Sequence, residues 1–68
     1  MKLIDRTWNS YLGKYEHTWL ADSEMDIPDN FDPESAEGSV IMVIFPQVIY
    51  MKNTKGKWQK MGSSEVLP

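Results

Sequence analysis

The alternation of large and polar side chains divides the chain into two strand-patterned ends around a polar middle. From Thr7 to Leu20 the pattern has a period of two, with Gly13-Lys14 at its centre. Glycine at the first turn position suits a two-residue type II′ loop. Pairing outwards from that turn sets Leu12 opposite Tyr15, Ser10 opposite His17 and Trp8 opposite Trp19, all on one side. A Trp8–Trp19 cross-strand pair would hold this register, which favours a hairpin over a helix.

The second patterned region is residues 39–61. Val40-Ile41-Met42-Val43-Ile44-Phe45, bounded by Gly38-Ser39 and Pro46, reads as a buried strand. Pro46-Gln47 makes a tight turn into Val48–Lys52, and Asn53-Thr54-Lys55-Gly56 reads as a type I turn closed by a left-handed glycine before Lys57–Met61 returns. The meander places Met42, Ile44, Ile49, Met51 and Met61 on one face. Ile41, Val43, Phe45, Val48, Tyr50 and Trp58 take the other, with the Lys52 and Lys60 stems beside them. A sheet that is apolar on both faces wants two covers. The first hairpin can supply one and a second protein chain the other, so Val43, Phe45, Tyr50 and Trp58 are the candidate interface.

Residues 21–38 break the alternation. Ile27-Pro28 and Asp32-Pro33 oppose a continuous helix. Asp32-Pro33-Glu34-Ser35-Ala36-Glu37-Gly38 reads as one helical turn, with Asp32 as its cap and Gly38 as its exit. The segment is expected to be a surface loop pinned by Met25, Ile27 and Phe31. The predicted fold class is therefore all-β: a small antiparallel, barrel-like sheet of two hairpins, or of a hairpin plus a three-stranded meander. Residues 1–68 form one domain, with 7–20 the hairpin, 21–38 the acidic loop, 39–61 the meander and 62–68 a tail.

Size sharpens the question of what covers the sheet. A domain of 68 residues buries only about 60% of the surface its unfolded chain exposes. The chain has no cysteine, so disulfides and thiolate zinc sites are excluded. Three Trp, three Tyr, two Phe and five Met leave a rich core or association as the remaining sources of stability. The N-terminal residues lack the apolar run of a signal peptide, and Val40–Phe45 falls far short of the roughly 20 residues that span a bilayer. No membrane role is expected.

Charge is uneven. Residues 20–38 hold Asp22, Glu24, Asp26, Asp29, Asp32, Glu34 and Glu37 with no lysine or arginine, within a net charge of −3 for the whole chain. Asp22, Glu24 and Asp26 alternate as in a calcium loop. Ile27-Pro28 stand where glycine is needed, however, and Pro33 where the bidentate glutamate belongs, so a solvated loop is the better reading. No metal or cofactor is expected. His17, the single histidine, reads as a partly buried group bonded to a hydroxyl rather than as a catalytic base, since no orienting acid or activated nucleophile can be assigned to it. Lys52, Lys55, Lys57 and Lys60 with Tyr50 and Trp58 could grip a single strand of nucleic acid, but net acidity argues against such a partner. No enzymatic activity is expected.

The stretch Val48-Ile49-Tyr50-Met51-Lys52-Asn53-Thr54-Lys55-Gly56-Lys57-Trp58 adds a further indication. Taken with Ala21-Asp22-Ser23-Glu24, Ile27-Pro28 and Glu37-Gly38-Ser39, it resembles small bacteriophage structural proteins, over about residues 20–61. The Phe45-Pro46-Gln47 corner departs from the Gly- or Thr-containing turn of that pattern. The resemblance implies a non-enzymatic head, neck or tail accessory protein, made in the host cytoplasm and located in the virion. Its partners would be copies of itself or other phage structural proteins. The alternative is a small phage-encoded regulator that binds a host protein through Asp22, Glu24, Asp26 and Asp29.

Overall fold

The computed structural model describes residues 1–68. The protein is all-β. Strands β1 (Lys2–Asn9), β2 (Lys14–Ala21), β3 (Val40–Val43), β4 (Val48–Lys52) and β5 (Trp58–Lys60) form a single open sheet in the order β1-β2-β3-β4-β5. Every neighbouring pair is antiparallel except β2 and β3, which run parallel. The sheet is thus mixed rather than wholly antiparallel, and it is not closed into a barrel. Parallel neighbours need a long connection between them. Residues 22–39 provide it, crossing one face of the sheet on the way.

The first hairpin starts five residues earlier than the alternation suggested and turns through a wider loop. Asn9 is the cause. Its Oδ1 accepts the N–H groups of Tyr11 (3.0 Å) and Leu12 (3.1 Å), and its carbonyl accepts that of Gly13 at 2.9 Å. This side-chain turn outcompetes the two-residue loop. Trp8 therefore faces Tyr15, while Trp19 faces Leu3. The slip is an even number of residues, so Trp8, Tyr15, His17 and Trp19 still share one side. β3 also ends early, at Val43, and Phe45 falls in the turn before β4 with 79% of its surface exposed.

The acidic segment makes a 3-10 turn at Glu24–Asp26, where the Asp26 carboxylate accepts the N–H groups of Asp22 and Ser23. The helical turn expected from Asp32 to Gly38 does not form. Asp32 adopts a left-handed backbone (φ 48°) and turns its side chain inward, where it accepts bonds that a helix cap could not. The tail is also ordered. Lys60 N–H donates to Glu65 O, Leu67 N–H donates to Trp58 O, and Val66 bridges to Gln59.

Pairing parity fixes the two faces of the sheet. Trp19, Ala21, Ile41, Val43, Val48, Tyr50, Lys52 and Trp58 point to the inner face, which the crossover covers. Ala21, Ile41, Val43, Tyr50 and Trp58 form the core, with Trp19, Ile27, Phe31, Val48 and Leu67 packed around them. The expected interface is corrected here. Val43, Tyr50 and Trp58 are enclosed by the chain itself, because the segment 22–38 supplies Ile27 and Phe31 as their cover. Phe45 alone of the four stays open.

Ile41 is wholly inaccessible at the centre of this core. Truncation to alanine is expected to cost roughly 2–5 kcal/mol, read as a lower denaturant midpoint with an unchanged slope.

Candidate functional site: a closed inner face and an open outer face

A polar constellation holds the crossover to the inner face. Parity carries Lys52 to the same side as Tyr50, so its amine lies beneath the crossover instead of in water. Its Nζ donates to Asp32 O at 2.6 Å, Ser35 Oγ at 2.9 Å and Ser35 O at 3.2 Å, which uses all three of its protons. Burial, the largest cause, lowers the Lys52 pKa. The Asp32 charge raises it, and the Lys14 charge lowers it further.

Asp32 faces the other way with its side chain. Its Oδ2 accepts from His17 Nδ1 at 2.7 Å and Trp19 Nε1 at 2.8 Å, so the His17 proton sits on Nδ1. Burial works to raise the Asp32 pKa. The His17 and Trp19 bonds, the His17 charge and Ser35 outweigh it, and the carboxyl ends below the usual range. Trp58 Nε1 donates to Phe31 O at 2.8 Å, and the Ser39 hydroxyl accepts His17 N–H and donates to Ala36 O. Tyr50 OH donates to the Glu24 carboxylate. Burial, then that bond and the Glu24 charge, push its pKa up to about 12.

Two pairings in this cluster invite a chemical reading: His17 with Asp32, and Ser35 with Lys52. The second is not set up for proton transfer to a substrate. The Ser35 hydroxyl donates to Asp32 O, Lys52 has no free lone pair while its protons are all engaged, and both residues are buried. The cluster is a clamp. It satisfies every buried side-chain donor and acceptor and fastens an irregular connection to a sheet.

An aromatic row continues from the clamp along the hairpin. Ring centroids step from Phe31 to Trp19 (4.9 Å), to His17 (5.8 Å), to Tyr15 (6.4 Å) and to Trp8 (4.9 Å), and the Arg6 guanidinium lies 3.7 Å from the Tyr15 centroid. The crossover reaches only part of this row. Trp8 keeps 54% of its surface and Tyr15 37%.

The outer face has no cover. Leu20, Val40, Met42, Ile49 and Met51 point to it as one uncharged patch, and Asp5, Lys14 and Glu16 share the same side farther along the first hairpin. Ile49 and Met51 are exposed, as are Ile44 and Met61 at its margin. A depression of about 190 Å³ lies at its β4–β5 end, between Met51 and Gln59 on one side and Met61–Ser63 on the other.

The acidic loop does not converge. Asp22, Asp26 and Asp29 are exposed, Asp26 is occupied by its own loop, and Glu24 turns inward to Tyr50. The lysine cluster disperses as well. Lys52 is buried, Lys60 lies 3.6 Å from Glu65, and Lys55 and Lys57 sit on the β4–β5 turn. With Tyr50 and Trp58 enclosed, this hairpin presents neither ring as a stacking platform. Asp32, Ser35 and Lys52 organise the inner face, whereas the sequence reading gave Asp32 only a helix-capping role and Lys52 a place in a lysine cluster, and gave Ser35 none. Parity alone carried a signal, since it placed Lys52 beside Tyr50. Comparison with known proteins yields no match among family models, curated proteins or solved structures.

Two measurements check the clamp. Asp32→Ala leaves the His17 and Trp19 donors without their acceptor and is expected to cost roughly 1–3 kcal/mol. Because folding lowers the Asp32 pKa, its contribution is full above the unfolded value of about 3.9 and fades as pH falls through the folded one. Asp32→Asn should therefore flatten the loss of stability with acid below about pH 4. In alkaline titration followed by tyrosinate absorbance, the Tyr50 step near pH 12 should move down in Glu24→Gln, which removes the charge that opposes ionisation.

Proposed function

We propose that the chain is a non-enzymatic structural protein of the bacteriophage virion-accessory kind, which acts by assembly through the outer face of its sheet. The observation that carries this reading is the face itself. Over β3–β5 and the C-terminal half of β2 the inner side is covered by the chain's own crossover, whereas the apolar patch of Leu20, Val40, Met42, Ile49 and Met51 on the other side has no segment of the chain laid across it. The resemblance of residues 20–61 to small phage structural proteins supports the same class. In this reading the protein is made in the host cytoplasm and resides in the particle.

The occupant that suits the face best is the same face of a second copy. Leu20, Val40, Met42, Ile49 and Met51 carry no charge, so two copies meet without burying one. Met42 and Met51 are unbranched and adapt to each other's shape. Phe45 and the acidic side chains Asp22, Asp26 and Asp29 lie on turns outside this patch.

The test is mass in solution by light scattering, with the double variant Ile49→Lys/Met51→Lys. Both side chains are exposed, so the variant should keep its far-UV spectrum and thermal transition. The expected result is a multimeric native protein and a variant whose dissociation constant rises by roughly two orders of magnitude or more. Self-association unaltered by the two lysines would overturn the face as the interface. A native chain that stays at 7.9 kDa at millimolar concentration would overturn self-assembly altogether.

A further inference from the structure

The two edges of the sheet are not equivalent. At β5 the chain closes its own edge: the backbone of Glu65–Leu67 bonds to Lys60 and Trp58, and Val66 bridges to Gln59. At the opposite edge β1 is the longest strand together with β2, and nothing lies beside it. An open edge of that length is a template for another strand.

The hydrogen bonds of β2 identify which groups of β1 are free. In an antiparallel pair, residues alternate between those bonded to each other and those whose N–H and C=O point away. Tyr15 O accepts Ala36 N–H and His17 N–H donates to Ser39 Oγ, so both residues direct their backbone away from β1. Their opposite numbers, Trp8 and Arg6, therefore direct theirs to the open edge. Thr7, opposite Glu16, bonds inward to β2. The bulge between Leu3 and Asp5 ends the regular edge on the N-terminal side, leaving Asp5–Asn9.

We propose that this edge pairs antiparallel with β1 of a second copy, about a two-fold axis passing between the two Thr7 residues. In that register Arg6 stands opposite Trp8 of the second copy, and each free N–H and C=O of the two residues gains a partner. Neighbouring registers are poorer. A shift by two residues in one direction sets Arg6 against Arg6, and in the other it sets the two large Trp8 rings on the axis. In the chosen register the guanidinium, which already lies over Tyr15, meets an exposed tryptophan on the same side of the sheet. Thr7 meets Thr7 on the outer side, a favourable cross-strand pair. The bulge at one end of β1 and the self-closed β5 edge stop the pairing from propagating, so the product is a discrete two-fold sheet and not a fibre. This contact uses a surface distinct from the outer face and does not rest on the reading given above.

The absence of native cysteine makes the register testable by crosslinking. Thr7 of one copy and Thr7 of the other form a pair without backbone bonds between them, the kind whose side chains lie closest. Thr7→Cys should oxidise to a disulfide-linked dimer at least about tenfold faster than Asp5→Cys, whose thiols lie far from the axis. Arg6→Pro removes an N–H that the chain itself does not use, so it should keep the far-UV spectrum and halve the mass of the associated species. Equal oxidation rates at Thr7 and Asp5, or a folded Arg6→Pro of unaltered mass, would overturn the pairing. The outer-face variant Ile49→Lys/Met51→Lys separates the two contacts. Rapid Thr7→Cys crosslinking should persist in it, whereas an edge contact that vanished with those lysines would not be an independent interface.

Discussion

The buried ammonium of Lys52 is the interaction on which the rest of the structure depends. Two strands that run parallel must be joined by a chain crossing the sheet, and in this protein the crossing segment has only the short 3-10 turn Glu24–Asp26 to satisfy its own backbone. An irregular connection over an apolar face would strand carbonyls away from water. Lys52 resolves this by donating to Asp32 O and Ser35 O from below, while the Asp32 carboxylate gathers His17 and Trp19 from β2, on the far side of β3. One strand thus supplies the cation, another the imidazole and indole, and the crossover supplies the oxygens between them.

That clamp decides which surfaces remain available. With residues 22–38 held down, Ile27 and Phe31 complete the core and the inner face is finished within a single chain. Apolar character is left over in three places: the outer face around Ile49 and Met51, the edge at Trp8, and the turns that carry Tyr11, Met25 and Phe45. The core is small, five buried apolar side chains, as expected for a chain of this length.

Much of this was legible in the sequence, and the boundary is physical. Side-chain parity survives an even slip of register, so the face assignments of Tyr15, His17 and Trp19, and of Ile41, Val43 and Tyr50, came through although the pairings within the first hairpin did not. The Gly13-Lys14 turn failed because Asn9 builds a competing turn from its own side chain, an energy that alternation does not contain. The parallel arrangement of β2 and β3 was invisible, since the acidic, proline-broken segment has the composition of a solvated loop. Its burial depends on Phe31, Ser35 and Ala36 meeting partners far away in sequence. The candidate interface failed for that same reason: residues named for a partner found their cover inside the chain.

The central claim is that the chain completes its inner face alone and leaves the outer face for another molecule. Methionine-methyl NMR with a soluble paramagnetic agent tests it most directly, because the probes lie where the claim needs them. With rising concentration, Met42 and Met51 methyls should lose their paramagnetic broadening while Met25, 95% exposed on its turn, stays fully broadened and the Trp58 indole N–H stays protected throughout. Met42 and Met51 methyls whose broadening does not change with concentration, or a Trp58 indole that becomes protected only on association, would contradict the account.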